Sequence, residues 1–290
     1  MKVLEDGFVD FKRYMETNRH DDAATTARLI YTEIKEAEIK EENDEHFLMQ
    51  IFDMAYKNSF LGCSIEFLAK GDLEALQDVL SVIRKISFTK NQSIISEIHN
   101  CGVTQAIFSL IYQADGSEKY DNVVYSCFTC LSNIISDSEE IVKLIVDSPE
   151  VEKVVQKGLF LKDREDPRDG FIQFLSALCS TDYQKVRCLI TSEVIDVIMV
   201  SIRTRSPERV HHIIDGVGVL QYLTDNKIDD EEKSFAGAVN YLIDKGFYQI
   251  AFDAICDDQL PPSLSTICAR AIGNSLCLDN YPDIDRVIYI

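Results

Sequence analysis

One kind of segment recurs in this chain at a nearly fixed interval, and it restricts the fold more than any other feature. A paired apolar step near the end of a helical stretch appears as VIRKIS (82–87), CLSNIIS (130–136), FLSALCS (174–180), VLQYLTD (219–225) and AIGNSLC (271–277). The anchors Ile83, Leu131, Leu175, Leu220 and Ile272 stand 48, 44, 45 and 52 residues apart. A self-similar period of this length signals a stacked array, in which no unit can bury its apolar face alone.

Helical periodicity fills the intervals. In 73–86, Leu73, Leu76, Leu80, Ile83 and Ile86 recur at three- and four-residue steps and form one stripe. In NQSIISEIHNCGVTQAIFSLI (91–111), Ile94, Ile95 and Ile98 share a face. Gly102 breaks that helix, and Val103, Ile107 and Leu110 open the next. Equivalents follow at 137–155, 182–202 and 231–255. No segment alternates with period two over a strand's length, and Gly (12) and Pro (6) are sparse. The expected fold is all-α.

Residues 1–60 fit the period less well. FVDFKRYM (8–15), AATTARLIYTEIKEAEIK (23–40) and FLMQIFDMAYKNSF (47–60) read as helices, with an acidic run EENDE (41–45) between the last two. His20-Asp21-Asp22 suits a helix start. The expectation is a helical N-terminal cap over 1–60 and a repeat array over 61–290, the alternative being a mobile arm. LKDREDPRDG (161–170), charged and holding a Pro and a Gly, reads as a loop, as does DNKIDDEEK (225–233).

The array resembles the armadillo repeat. The 91–111 segment is similar to that family's short helix, turn glycine and second helix. CLSNIISDS and AIGNSL look like its third helix, where a small residue and Asn follow Leu or Ile. The resemblance covers roughly 60–290. It implies a right-handed superhelical armadillo-type α-solenoid whose third helices line a concave groove for extended peptides. Nuclear-import adaptors of the family place a Trp and an Asn four residues apart in that groove. The Asn bonds the peptide backbone, and the Trp walls off pockets for basic side chains. Here the Asn positions hold Lys85, Asn133, Ala177, Tyr222 and Asn274, and the Trp positions hold Ser81, Thr129, Gln173, Gly218 and Arg270. Two Asn stand in place and the chain has no Trp, so the usual ladder is missing. The groove candidates are Lys85, Thr129, Asn133, Gln173, Tyr222, Arg270 and Asn274. The bland alternative is that they are exposed polar residues of the third helices.

Charge narrows the partner. With 29 basic and 49 acidic side chains the net charge is −20. Nucleic acid and an anionic membrane surface both need Lys and Arg to neutralise phosphate, and no basic stripe exists. A protein with a basic segment would be steered toward such a field, although acidity also serves solubility alone. No run of 18 apolar residues occurs. MKVLEDGFVDF at the start reads as neither a secretory signal nor a transit peptide. Nine scattered cysteines read as reduced, buried thiols, placing the chain in the cytoplasm or nucleus.

No catalytic, metal or cofactor pattern stands out. Cys127 and Cys130 form a C-x-x-C, but within a helix and without a second pair or a nearby His, so core thiols are the better reading. His211 and His212 point about 100° apart on a helix and do not chelate like an i, i+4 pair. Gly216-Val217-Gly218 has no preceding strand and fits close helix packing rather than a phosphate cradle. The leading expectation is a non-enzymatic adaptor or scaffold holding a protein segment in the groove or on its outer faces. The alternative is a chaperone cofactor of the armadillo class that promotes nucleotide exchange, recognisable by faster nucleotide release from the chaperone. An enzyme with an unrecognised site is a third.

Overall fold

The computed structural model describes residues 1–41, 45–88, 91–136, 138–181, 186–204, 207–224 and 232–276. By contact the chain divides into two compact units, Met1–Lys157 and Gly158–Ile290. Among the described residues every regular element is helical. The first unit holds α1 (Lys2–Glu16), α2 (His20–Glu41), α3 (Glu45–Lys57), α4 (Phe60–Lys70) and α5 (Leu73–Ser87). It continues with α6 (Gln92–Asn100), α7 (Val103–Gln113), α8 (Asp121–Ile135), α9 (Glu139–Val146) and α10 (Pro149–Gly158). The second holds α11 (Glu165–Thr181), α12 (Ser192–Arg203), α13 (Val210–Leu223), α14 (Glu232–Asp244), α15 (Phe247–Ile255) and α16 (Pro262–Leu276).

In the first unit the helices pack in threes, α3–α4–α5 and α6–α7–α8. Second helix stacks on second (α4 on α7) and third on third (α5 on α8). The stripe expected in 73–86 is buried at Leu76, Val79, Leu80, Ile83 and Ile86. Its start is fixed by Asp72, whose carboxylate accepts from Ala75 N at 2.9 Å. Asn91 and Ser138 cap α6 and α9 in the same way.

The N-terminal helices continue this stacking. α1 packs on α4, and α2 on α5, as α5 does on α8. Phe8 and Phe11 set their rings 5.2 and 4.8 Å from Phe60. Gly7 lets α1 approach α2 closely, since a Cβ there would lie 2.9 Å from Ile30. So α1 and α2 hold the places of a second and a third helix. The expected boundary at residue 60 falls at the first residue of α4, within the triplet begun by α3. Asp21 and Asp22 sit in the first turn of α2, where acidic groups face the positive end of the helix. Of the acidic run 41–45, residues 42–44 lie outside the described residues.

In the second unit α11 packs on α13 and α13 on α16, with α12 against both α11 and α13. Leu175 and Leu220 are fully buried, as Ile83 and Leu131 are in the first unit. Ile272 is only half-buried, and α16 buries Leu264, Cys268, Ala271 and Ser275 instead. Among the described residues, α16 has a third helix on one side only, α13.

Residues 161–170 correct the expectation of a loop. A 3-10 turn ends at Leu161 and α11 begins at Glu165, so EDPRDG is helical. Pro167 fits because the first turn of a helix leaves its N–H groups without intrahelical acceptors, and proline has none to leave. Gly158 is needed nearby, since a Cβ there would lie 2.4 Å from the Phe171 ring. The segment 225–233, read as a loop, lies outside the described residues except for 232–233, which open α14.

The thiol expectation holds in part. Cys127, Cys130, Cys179 and Cys268 are buried, whereas Cys188 and Cys256 are exposed, and all described cysteines are free. Burial pushes Cys130 up to about 12 and raises Cys127. Cys130 Sγ donates to Leu80 O at 3.4 Å, a core contact between α8 and α5. Gly216 behaves as a packing glycine, a Cβ there lying 3.1 Å from Ile202 and 3.2 Å from Ile198. Gly218 does not, its nearest neighbour being Ser176 Oγ at 3.9 Å.

Three first-to-second helix junctions use a left-handed residue: Ser59 (φ 56°), Gly102 (φ 88°) and Gly246 (φ 73°). Glycine adopts this region freely, whereas a side chain costs about 1–2 kcal/mol. Ser59 forms no capping bond that would offset that cost. Gly102→Ala should therefore lower stability by about 1–2 kcal/mol, and Ser59→Gly should raise it by up to about 1 kcal/mol. Urea-unfolding midpoints read both, and opposite signs are expected.

Candidate functional site

The third helices carry the residues singled out from the sequence, and each unit presents its own part of the row. In the first unit, α5 holds Ser81 and Lys85, and α8 holds Thr129 and Asn133. Thr129 is buried, and its hydroxyl donates to Tyr125 O and Ser126 O, both at 3.1 Å. Asn133 is half-buried, and its Nδ2 donates to Arg84 O at 3.2 Å and Ser87 Oγ at 3.4 Å. The amide thus reaches the last turn of the neighbouring third helix, where it shares the Arg84 carbonyl with Phe88 N and Ser87 Oγ. This contact brings Asn133 beside Lys85, which is half-buried.

The second unit repeats the contact. Asn274 Nδ2, on α16, lies 3.5 Å from Gln221 O near the end of α13, which places it beside Tyr222. Asn133 and Asn274 are each two residues past their anchor, and each reaches the carbonyl one residue past the neighbouring anchor. Gln173 and Tyr222 are half-buried, Arg270 is exposed and Ala177 is buried. Gly218 stands level with Ser176, and a Cβ there would make ordinary contact with Ser176 Oγ at 3.9 Å. The row has small residues at Ala177 and Gly218 and cations at Lys85 and Arg270. Not one of its ten positions is acidic.

Sequence reasoning missed the strongest electrostatic feature of the second unit. Arg168 and Asp169, read as loop residues, are 4% and 2% exposed. Asp169 Oδ2 accepts from Arg209 Nε at 2.9 Å and from Arg209 Nη2, while Oδ1 accepts from Ser201 Oγ at 3.1 Å. Arg209 also pairs with Glu165, and Arg168 Nη1 donates to Lys162 O at 2.9 Å. The network ties the first turns of α11 to α12 and to the entry of α13. Burial pushes the Asp169 carboxyl up to about 6 against the pull of Arg168 and Ser201. His212 Nε2 stands 3.9 Å from Asp169 Oδ2, and burial lowers its pKa, leaving it neutral at pH 7. Burial also raises Asp215 on the same helix, against the pull of His212 and of a bond from Ser176. The only sequence signal was the charged run itself, which Pro167 and Gly170 made look like a break.

Among the described residues no group of His, Cys, Asp and Glu is placed to hold a metal ion. No helix among them is long and apolar enough to cross a membrane.

No protein-family model matches the chain, and no curated protein matches it. Solved structures do. An engineered protein aligns with 92% of this chain and 96% of its own at 14% identity, with a TM-score of 0.66. A designed armadillo repeat protein in complex with the peptide (KR)4 aligns with 92% of this chain and 99% of its own at 11% identity and a TM-score of 0.65. A second designed armadillo repeat protein gives 10% identity, the same coverage and a TM-score of 0.65. The chain has an armadillo-like repeat fold.

Stability measurements on three variants test these contacts. Asp169→Ala leaves the buried Arg168 and the half-buried Arg209 without this carboxylate and should cost up to about 3–5 kcal/mol, Arg209 keeping its contact with Glu165. Glu165→Gln, at the exposed end of the same network, should cost less than about 1 kcal/mol. Asn133→Ala removes a half-buried amide bond to a helix end and should cost about 1 kcal/mol. The denaturant midpoint should fall most for Asp169→Ala, less for Asn133→Ala and least for Glu165→Gln.

Proposed function

We propose that this chain is a non-enzymatic adaptor that holds a segment of another protein against its third helices. The armadillo-like fold carries this reading, because within each unit it stacks third helix on third helix and so sets their side chains next to one another. A designed armadillo repeat protein of similar fold forms a complex with the basic peptide (KR)4. A net charge of −20 favours a basic segment here too.

The code would differ from a Trp/Asn ladder. Thr129 is turned onto its own helix and the Asn133 and Asn274 amides are engaged with neighbouring helices, so none of the three offers a free side chain to a peptide backbone. Carboxylates that attract a basic segment then have to lie beside the row rather than in it.

Isothermal titration of the full chain with the (KR)4 octapeptide and with an acidic octapeptide tests the reading. The basic peptide should bind, and its affinity should fall as salt shortens the Debye length from about 10 Å at 0.1 M to about 3 Å at 1 M. Gly218→Arg adds a cation to the third helix α13, where a Cβ meets no clash, and should weaken that binding. Equal binding of the acidic peptide, or no binding of the basic one, overturns the proposal. The chaperone-cofactor alternative predicts faster nucleotide release from a heat-shock chaperone, which a nucleotide-release assay reads directly.

A further inference from the structure

The first unit contains a cavity of 540 Å³, half open to solvent, where α4 and α7 end and α5 and α8 begin. Its size lies within the roughly 300–1,000 Å³ of ordinary ligand pockets. The apolar part of its lining includes Leu68, Leu76, Leu110 and Val123, each 2–6% exposed. Asp72 and Glu74 also line it, and both are exposed. No Lys or Arg is among the lining residues.

Helix ends of both signs meet at the cavity, so their partial charges offset one another. The full charges are the two carboxylates. One oxygen of Asp72 accepts from Ala75 N and holds the start of α5. Glu74 Oε1 accepts from Arg28 Nη2 at 2.7 Å, and Arg28 also reaches Asp78 at 2.8 Å. Lys119 sits 5.0 Å from the centre of the Tyr120 ring and pairs with Asp115 at 3.3 Å. Tyr120 is a lining residue, so its ring already meets a cation on one side.

An apolar lining beneath an anionic rim suits one kind of side chain: a long aliphatic stem ending in a cation. We propose that this cavity receives a lysine or arginine side chain of the bound protein segment, with its stem on Leu76, Leu110 and Val123 and its charged head between Asp72 and Glu74. The proposal rests on the reading of the chain as a binder of a basic segment. It supplies the acidic contact that the third-helix row lacks. Arg28 then acts as a resident competitor, occupying Glu74 until a partner cation arrives.

The full chain and the (KR)4 peptide, followed by fluorescence anisotropy and by amide chemical shifts, provide the test. Glu74→Gln should weaken binding by about two- to fivefold, the range of an exposed ion pair. Arg28→Gln frees Glu74 and should tighten binding. Arg13→Gln, an exposed arginine of α1, alters net charge equally and controls for general attraction. Peptide-induced shifts at Gly71, Leu73 and Gln113, with Arg28→Gln tightening binding more than Arg13→Gln, support the cavity. Equal effects of the two arginine variants, or shifts at Lys85 and Asn133 with none at the cavity, overturn it and leave the adaptor reading standing. Absence of any peptide binding overturns both.

Discussion

Everything in this molecule depends on the burial of its third helices. A surface helix needs one apolar stripe, but a helix flanked by others on several sides must be compatible with them all round. α8 shows the consequence: only Asp121, Asn122, Tyr125 and Asn133 escape burial within its 15 residues. Some of the polar residues tolerated inside are small and satisfied within their own helix. Thr129 bonds back to its own helix, as Ser64 and Ser275 do on theirs. Such bonds leave no buried hydroxyl to compete with packing.

The same constraint governs the candidate binding row. A residue on a third helix has two possible employers, the neighbouring helix and a ligand, and the neighbour is always present. Asn133 spends its amide on Arg84 O and Ser87 Oγ, and Asn274 turns toward Gln221 O. In the second unit the row is positioned by charge as well as by apolar packing. Asp169 joins α11, α12 and the entry to α13 through Arg209 and Ser201. Such a buried pair adds little net stability against an apolar replacement, yet losing one partner is costly, so it acts as a device for position.

Much of the architecture was legible in the sequence because periodicity reports burial. The stripe in 73–86, the break at Gly102 and the anchors Ile83, Leu131, Leu175 and Leu220 all reflect which face must leave water. The N-terminal pair was less legible. Ile34 is fully buried about one repeat length before Ile83, but α2 lacks the small-residue-and-Asn step that marked the other third helices. Residues 165–170 were misread because Pro and Gly usually interrupt helices, and nothing local reveals that Pro167 falls in a first turn. The roles of Arg168 and Asp169 were invisible for a related reason: a charged run reads as solvated until Arg209 and Ser201, some 30–40 residues away, are brought against it.

The sequence by itself determined that the chain is helical, that its helices recur as a stacked set, and that its charge is strongly acidic, since these follow from residue type and spacing alone. Tertiary structure decided what the spacing left open. It turned Thr129 inward, engaged the Asn133 and Asn274 amides with neighbouring helices, and joined Asp169 to Arg209. It also set Asp72 and Glu74 over an apolar cavity whose lining residues come from four helices. Spacing along one helix fixes which residues share a face. Which face meets a neighbour, and at what level, depends on contacts between residues about fifty positions apart, and no local pattern encodes them.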